Sequence, residues 1–238
     1  GPADGESALK ESADVTAEDS LFCLRYPFWH DSGLKISDCE MTENCRAALW
    51  YSHEINIENT RLHGIKALRE CENITIKDTV ANSPEYIWKV NGLKIENLEI
   101  LGSEYPFFEV RNAKINKLKM KGKYSFQYVV NASITDSNLN TKDAFWHSRG
   151  VTVKNSIISG EYLGWYSEDL TLINCVIKGT QPLCYCKGLK LIDCVMEDCD
   201  LAFERSEVEA SIMTPVISIK NPLSGHIKVP SVGEVIRD

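Results

Sequence analysis

Residues 143–158 read DAFWHSRGVTVKNSII. From Val151 onward the stretch alternates, with Val151 and Val153 apolar and Thr152 and Lys154 polar. Alternation over so few residues marks a half-buried strand. The same eight-residue shape recurs along the chain. It begins at Val15 (VTAEDSLF), Leu34 (LKISDCEM), Ile55 (INIENTRL), Ile74 (ITIKDTVA) and Leu93 (LKIENLEI). It continues at Ala113 (AKINKLKM), Ala132 (ASITDSNL), Val151 (VTVKNSII), Leu170 (LTLINCVI) and Leu189 (LKLIDCVM), with a degraded copy near Val208. Successive starts differ by 19, 21, 19, 19, 20, 19, 19, 19, 19 and 19 residues. A period this constant is the signature of a repeat architecture.

The period is too short for a helix pair, and leucine-rich-repeat spacing does not fit. Taking each start as position 0, apolar residues fall at positions 0, 2 and 7. What remains is a parallel β-solenoid in which each unit is one coil and equivalent strands stack. Position 4 supports this reading. It holds Asp19, Asp38, Asn59, Asp78, Asn97, Lys117, Asp136, Asn155, Asn174 and Asp193. Short polar side chains bond neighbouring backbone there and tolerate left-handed geometry. The carboxylates are therefore read as a turn ladder, not as acid/base pairs or calcium ligands. Position 5 is mostly Ser, Thr or Cys, as expected of a tight turn.

Counting back from each start gives a second core column at position −6 (Phe28, Leu49, Phe145 and equivalents), read as part of a second strand. In the last coil this count places Ala202 in the core and Phe203 one column out. Position −5 holds all five tryptophans, Trp29, Trp50, Trp88, Trp146 and Trp165, with Lys10, Arg69 and Gln127. An unpaired charge in a dry interior is expensive, so this column is expected to face outward. Position −4 carries His30, Tyr51, Tyr128, His147, Tyr166 and Tyr185 among charged residues. DAFWHSR is thus an ordinary rung whose His147 recurs as His30 six coils away. At about 4.8 Å per coil the two are about 29 Å apart, too far for one site.

Two patches stand out. One is Tyr128, Trp146, His147, Arg149, Trp165 and Tyr166, with Asp143 and Glu161 nearby. The other is Trp29, His30, Asp31, Trp50, Tyr51 and His53. From them Tyr128, Trp146, His147, Arg149, Trp165, Tyr166, Trp29, His30, Trp50 and Tyr51, with Trp88, are the candidate ligand-binding residues. Flat aromatics spaced along a rigid sheet suit stacking on sugar rings. No catalytic residue is assigned. The pattern points to a non-catalytic binding or interaction scaffold with an outward tryptophan strip, for carbohydrate. Two alternatives stay open: a carbohydrate-active enzyme (polysaccharide lyase or glycoside hydrolase) around His147, and a structural protein whose strip is covered by the tail or by a second subunit.

The bulk composition narrows the partners. Apolar residues are 43% of 238, and the formal net charge is −8. An acidic chain without a Lys/Arg cluster is a poor ligand for nucleic acid or an anionic membrane. No apolar run reaches the roughly 18–20 residues of a membrane span. The nine cysteines are odd in number and irregularly spaced. They read as reduced thiols of a cytoplasmic protein, with no metal site and no cofactor. A carbohydrate, a protein partner and a homo-oligomer stay open. The chain starts without Met. Its Gly1-Pro2 is read as a cleavage scar, and ALKES as the second half of an incomplete first coil.

Repeats with this Asn/Asp turn resemble right-handed parallel β-helices of the pectin-lyase-like type. More narrowly, ESALKES, LRYPFWH, CRAALWYS, GEYLGWYS, QPLCYCKGLKLIDC and KNPLSG resemble a bacterial β-helix family known only as a domain of unknown function. The resemblance covers nearly the whole chain and implies the fold, with no activity attached. Better-known relatives of this fold degrade polysaccharides with calcium-binding carboxylate clusters or grouped Asp residues and a Gly-His-Gly. Neither GHG nor NTD occurs here. The expected architecture is all-β: one single-stranded right-handed parallel β-helix of about eleven coils of 19–21 residues over 1–209, and a capping segment over 210–238. The hand rests on the resemblance and on the right-handed preference of parallel crossovers.

Overall fold

The computed structural model describes Ser7 and residues 9–238, so the reading of Gly1-Pro2 lies outside the described residues. The chain divides into two units, Gly1–Gly122 and Lys123–Asp238. Each is an all-β parallel solenoid, and among the described residues every regular element is a strand. The arrangement is consistent with the right-handed parallel β-helix expected. The repeat starts pair with one another. In the first unit Val15 lies opposite Leu34, Leu34 opposite Ile55, Ile55 opposite Ile74, and Ile74 opposite Leu93. In the second, Ala132 lies opposite Val151, and Leu189 opposite Val208. One-residue slips would turn the apolar face outward, so the hydrophobic pattern fixes the register.

From Leu34 on, positions 0 and 2 are buried in every coil, as are position −6 from Phe28 and position 7 from Met41 to Met196. Phe126 and Phe145 stack at 4.8 Å in the second unit. Position 4 behaves as the turn ladder predicts, since every member from Asp19 to Asp193 has positive φ. The side chains bond along the ladder: the Asn97 amide donates to Asp78 at 2.8 Å and that of Asn174 to Asn155 at 2.9 Å. At position 5 the hydroxyl or thiol donates to the carbonyl two residues back, as from Thr60 to Glu58 at 2.9 Å and Ser156 to Lys154 at 2.8 Å.

Two expectations are corrected. Positions −8 to −4 are not a strand but a turn-rich arc. Phe145 (φ 64°) and His147 (φ 52°) are left-handed on either side of Trp146, and the other coils repeat the pattern. The alternation aims successive N–H groups at different coils. Phe145 N–H donates back to Ser125 O at 2.9 Å, and His147 N–H donates forward to Trp165 O at 3.1 Å. Bulky residues hold φ above zero at a cost, which the two-sided bonding and the core burial of position −6 offset. The last coil is also out by one. Phe203 N–H donates to Pro182 O, as Leu183 N–H does to Leu163 O. Phe203 is therefore the core residue, and Glu204 and Arg205 occupy the next two columns. The register shift between Leu191 and Cys194 belongs to the same coil.

Beyond it, Ser224–Lys228 pairs in parallel with Glu207–Ile212, and Val216–Lys220 with Val232–Ile236. No helix among the described residues is long and apolar enough to cross a membrane.

Candidate binding surface

The arc at positions −5 and −4 carries the aromatic residues, and its geometry differs between the units. In the second unit position −4 is a ladder of parallel rings. Tyr128 and His147 are 5.3 Å apart and 7° from parallel, His147 and Tyr166 5.1 Å and 9°, Tyr166 and Tyr185 4.9 Å and 11°. The coil repeat sets this spacing. Left-handed backbone at each rung projects the rings the same way, and Tyr128 and Tyr166 remain 40% and 43% exposed. Trp146 meets Tyr128, His147 and Tyr166 edge-on, and Trp165 does the same with Tyr162 and Tyr185. Tyr185 completes the ladder, although the sequence candidates stop at Tyr166. Its place in the same column was the signal.

In the first unit the tryptophan column itself stacks. Trp29 and Trp50 lie 5.4 Å apart at 27°, with Tyr51 edge-on to both. The Arg69 guanidinium sits 5.1 Å from the Trp50 ring and 5.4 Å from that of Trp88, which then meets Phe108 at 5.1 Å. Charge in this column is thus accommodated by ring faces.

The strip faces outward but is not bare. All five indoles are half-buried. Three donate their ring N–H to a backbone carbonyl of the following coil: Trp50 to Lys66, Trp88 to Tyr105 at 2.6 Å, and Trp165 to Gln181 at 2.8 Å.

The titratable neighbours are dispersed. Arg149 is 3.6 Å from Glu168, and His30 is 3.8 Å from Glu11. His53 shares a hydrogen bond with Ser32 at 3.3 Å. Asp143 is partly covered, and burial raises its carboxyl pKa, with Lys142 opposing and Glu161 adding to the rise. Asp31 does not join its patch. It is fully buried, in a column of small polar residues that includes Ser52, Cys71, Ser148 and Ser167.

All nine cysteines are free, and eight are buried. Burial pushes the Cys175 thiol up to about 11 and the Cys184 thiol up to about 12. Neither is a poised nucleophile, because the thiolate is the reactive form. Among the described residues no group of three or more His, Cys, Asp or Glu side chains could hold a metal ion.

Fold and surface together define a parallel β-solenoid with stacked aromatic columns. A family model described as "Protein of unknown function (DUF3737)" matches residues 2–238, and the chain belongs to that family. No curated protein matches it. Among solved structures it is similar to the A-module of mannuronan C-5 epimerase AlgE4 from Azotobacter vinelandii. The identity is 10%, over 84% of this chain and 78% of that chain, with a TM-score of 0.28.

Proposed function

We propose that the protein is a non-catalytic binding scaffold whose aromatic columns engage carbohydrate. The observation that carries this is the ring ladder Tyr128–His147–Tyr166–Tyr185, in which Tyr128 and Tyr166 are exposed and the rings repeat at about 5 Å. The inner rings cover one another's faces, so a glycan would lie across the outer ring edges of the ladder, with Asp143, Arg149 and Glu161 nearby as partners for its hydroxyl groups. A scaffold fits better than an enzyme around His147, because Tyr128 and Tyr166 cover both faces of that imidazole. The buried free thiols suit a reducing, cytoplasmic setting. We assign 1–209 to the helix and 210–238 to a cap over its last coil, since an open end would present unpaired strand edges.

A glycan array probed with wild type and Tyr166→Ala tests the reading. Binding lost in Tyr166→Ala, at an unchanged melting temperature, is the expected result. Unchanged glycan binding by the variant, or none by wild type, would end the carbohydrate reading. A variant that instead splits an oligomer would favour a strip buried against a second copy.

A further inference from the structure

The repeat departs from its 19-residue period by two residues at one place, between Leu34 and Ile55. The added length forms a turn over residues 42–46. Cys45 N–H donates to Thr42 O at 2.9 Å and Arg46 N–H to Asn44 O at 3.1 Å. The Cys45 thiol ties the turn to the preceding coil through Phe22 O at 3.0 Å. The following coil makes room for it with Gly64, where a Cβ would lie 1.3 Å from the Cys45 carbonyl oxygen. No other residue fits there without displacing backbone.

This turn brings Arg46 beside the tryptophan column. The result is a cleft of about 440 Å³ walled by Tyr26, Trp29 and Trp50 and bordered by Lys10, Arg46 and Lys66. The volume is in the range of small-molecule sites. Its charge runs against that of the chain, which is −8 overall. Lys66 is partly neutralised by Glu85 at 3.5 Å. Among the described residues Lys10 and Arg46 form no ion pair, and both are exposed.

We infer that this cleft binds a small anionic ligand carrying a sugar or base ring. The ring lies along the outer edges of the stacked Trp29 and Trp50 indoles, and a carboxylate or phosphate sits between Arg46 and Lys10. A guanidinium takes either group with two parallel hydrogen bonds, and an aromatic wall takes the ring. Sugar acids, sugar phosphates and nucleoside monophosphates share this chemistry. The inference does not rest on the ring ladder of the other unit.

Calorimetric titration of the full chain with glucuronic acid, glucose 6-phosphate and AMP, beside glucose and adenosine, tests it. We expect at least one anion to bind with a Kd below about 1 mM, more weakly as salt rises. Its neutral counterpart should not bind. The anion that binds identifies the source of the charge. Arg46→Glu and Lys10→Glu, both on exposed positions, should each weaken binding at least tenfold without lowering the melting temperature. In ¹H–¹⁵N spectra the indole signals of Trp29 and Trp50 should move while those of Trp146 and Trp165 stay. The inference is overturned if none of the three anions binds, if the neutral compounds bind equally, or if both variants bind as wild type. Shifts confined to Trp146 and Trp165 would also overturn it, and would leave the ring-ladder proposal standing.

Discussion

Asp31 is the residue least at ease in this fold. Its side chain is fully buried. One carboxylate oxygen accepts the Ser12 N–H at 2.6 Å, while the other has no partner. Several other coils place a hydroxyl or thiol in this column, and most of these find a carbonyl: Ser206 donates to Leu183 O at 2.6 Å, Cys71 to Leu49 O at 2.7 Å. A carboxylate cannot donate. Burial raises its pKa above the ordinary 3.8, against the pull of Ser12 N–H and His30. The folded state therefore holds the proton more tightly than the unfolded chain. The stabilisation this group gives is complete below the unfolded value and is lost as pH rises through the folded one. Above it, a buried charge remains that costs about 1–3 kcal/mol. Asp31→Asn keeps the acceptor for Ser12 and removes the charge. Its denaturation midpoint should match wild type near pH 4 and exceed it by a growing margin toward pH 7. A gap that stays constant or reverses across that range would refute this account. Sequence reading set Asp31 among the surface candidates because it adjoins His30; only the fold reveals that position −3 points inward.

At the scale of the element, what was legible is what obeys a period. The alternation at positions 0 and 2 predicted the strands, and the Asp/Asn column predicted the turn. The arc at positions −8 to −4 was not legible. Phe, Leu and Ile at positive φ carry no local signal, because burial and bonding to two coils impose the conformation over propensity. A third left-handed column, just before each start, was also missed, although Gly33, Asn73, Gly92, Asn131 and Gly150 announce it by composition. Lys117 is the exception that tests the turn. It holds φ 54° at position 4, where the other nine ladder members are Asp or Asn. A lysine gains nothing there from local side-chain bonding, and its pair with Glu96 at 3.8 Å is exposed. Exposed pairs contribute about 0–1 kcal/mol. Asn tolerates the left-handed region better and can extend the ladder toward Asn97. Lys117→Asn should therefore raise stability by about 0.5 kcal/mol, read as a higher urea midpoint with unchanged slope. A lower midpoint would mean that the ion pair outweighs the backbone term.

At the scale of the molecule, a solenoid is stabilised coil by coil, each bonded to its neighbours. An interior coil has its backbone groups satisfied on both sides, whereas a terminal one keeps an open edge. The inner strands of each unit, such as Asn91–Glu104 in the first and Leu189–Glu197 in the second, alternate buried and exposed residues along their length. The final strands differ. Ser224–Lys228 and Val232–Ile236 contain no fully buried residue, and Leu223 and Val235 are 66% and 53% exposed. The period also fails there, since Val208 pairs with Gly225 after 17 residues. Few buried contacts mean a low free energy of local opening. Amide hydrogen exchange should therefore be fastest in Val232–Ile236 and Ser224–Lys228, and slower by orders of magnitude in Leu189–Glu197. Ala13–Glu18, the first strand, should exchange faster than Asn91–Glu104, because its residues are exposed or only half-buried. Protection of Val232–Ile236 equal to that of Leu189–Glu197 would contradict this picture. It would mean that another chain covers the last strand, and would turn attention to a homo-oligomer joined through that edge.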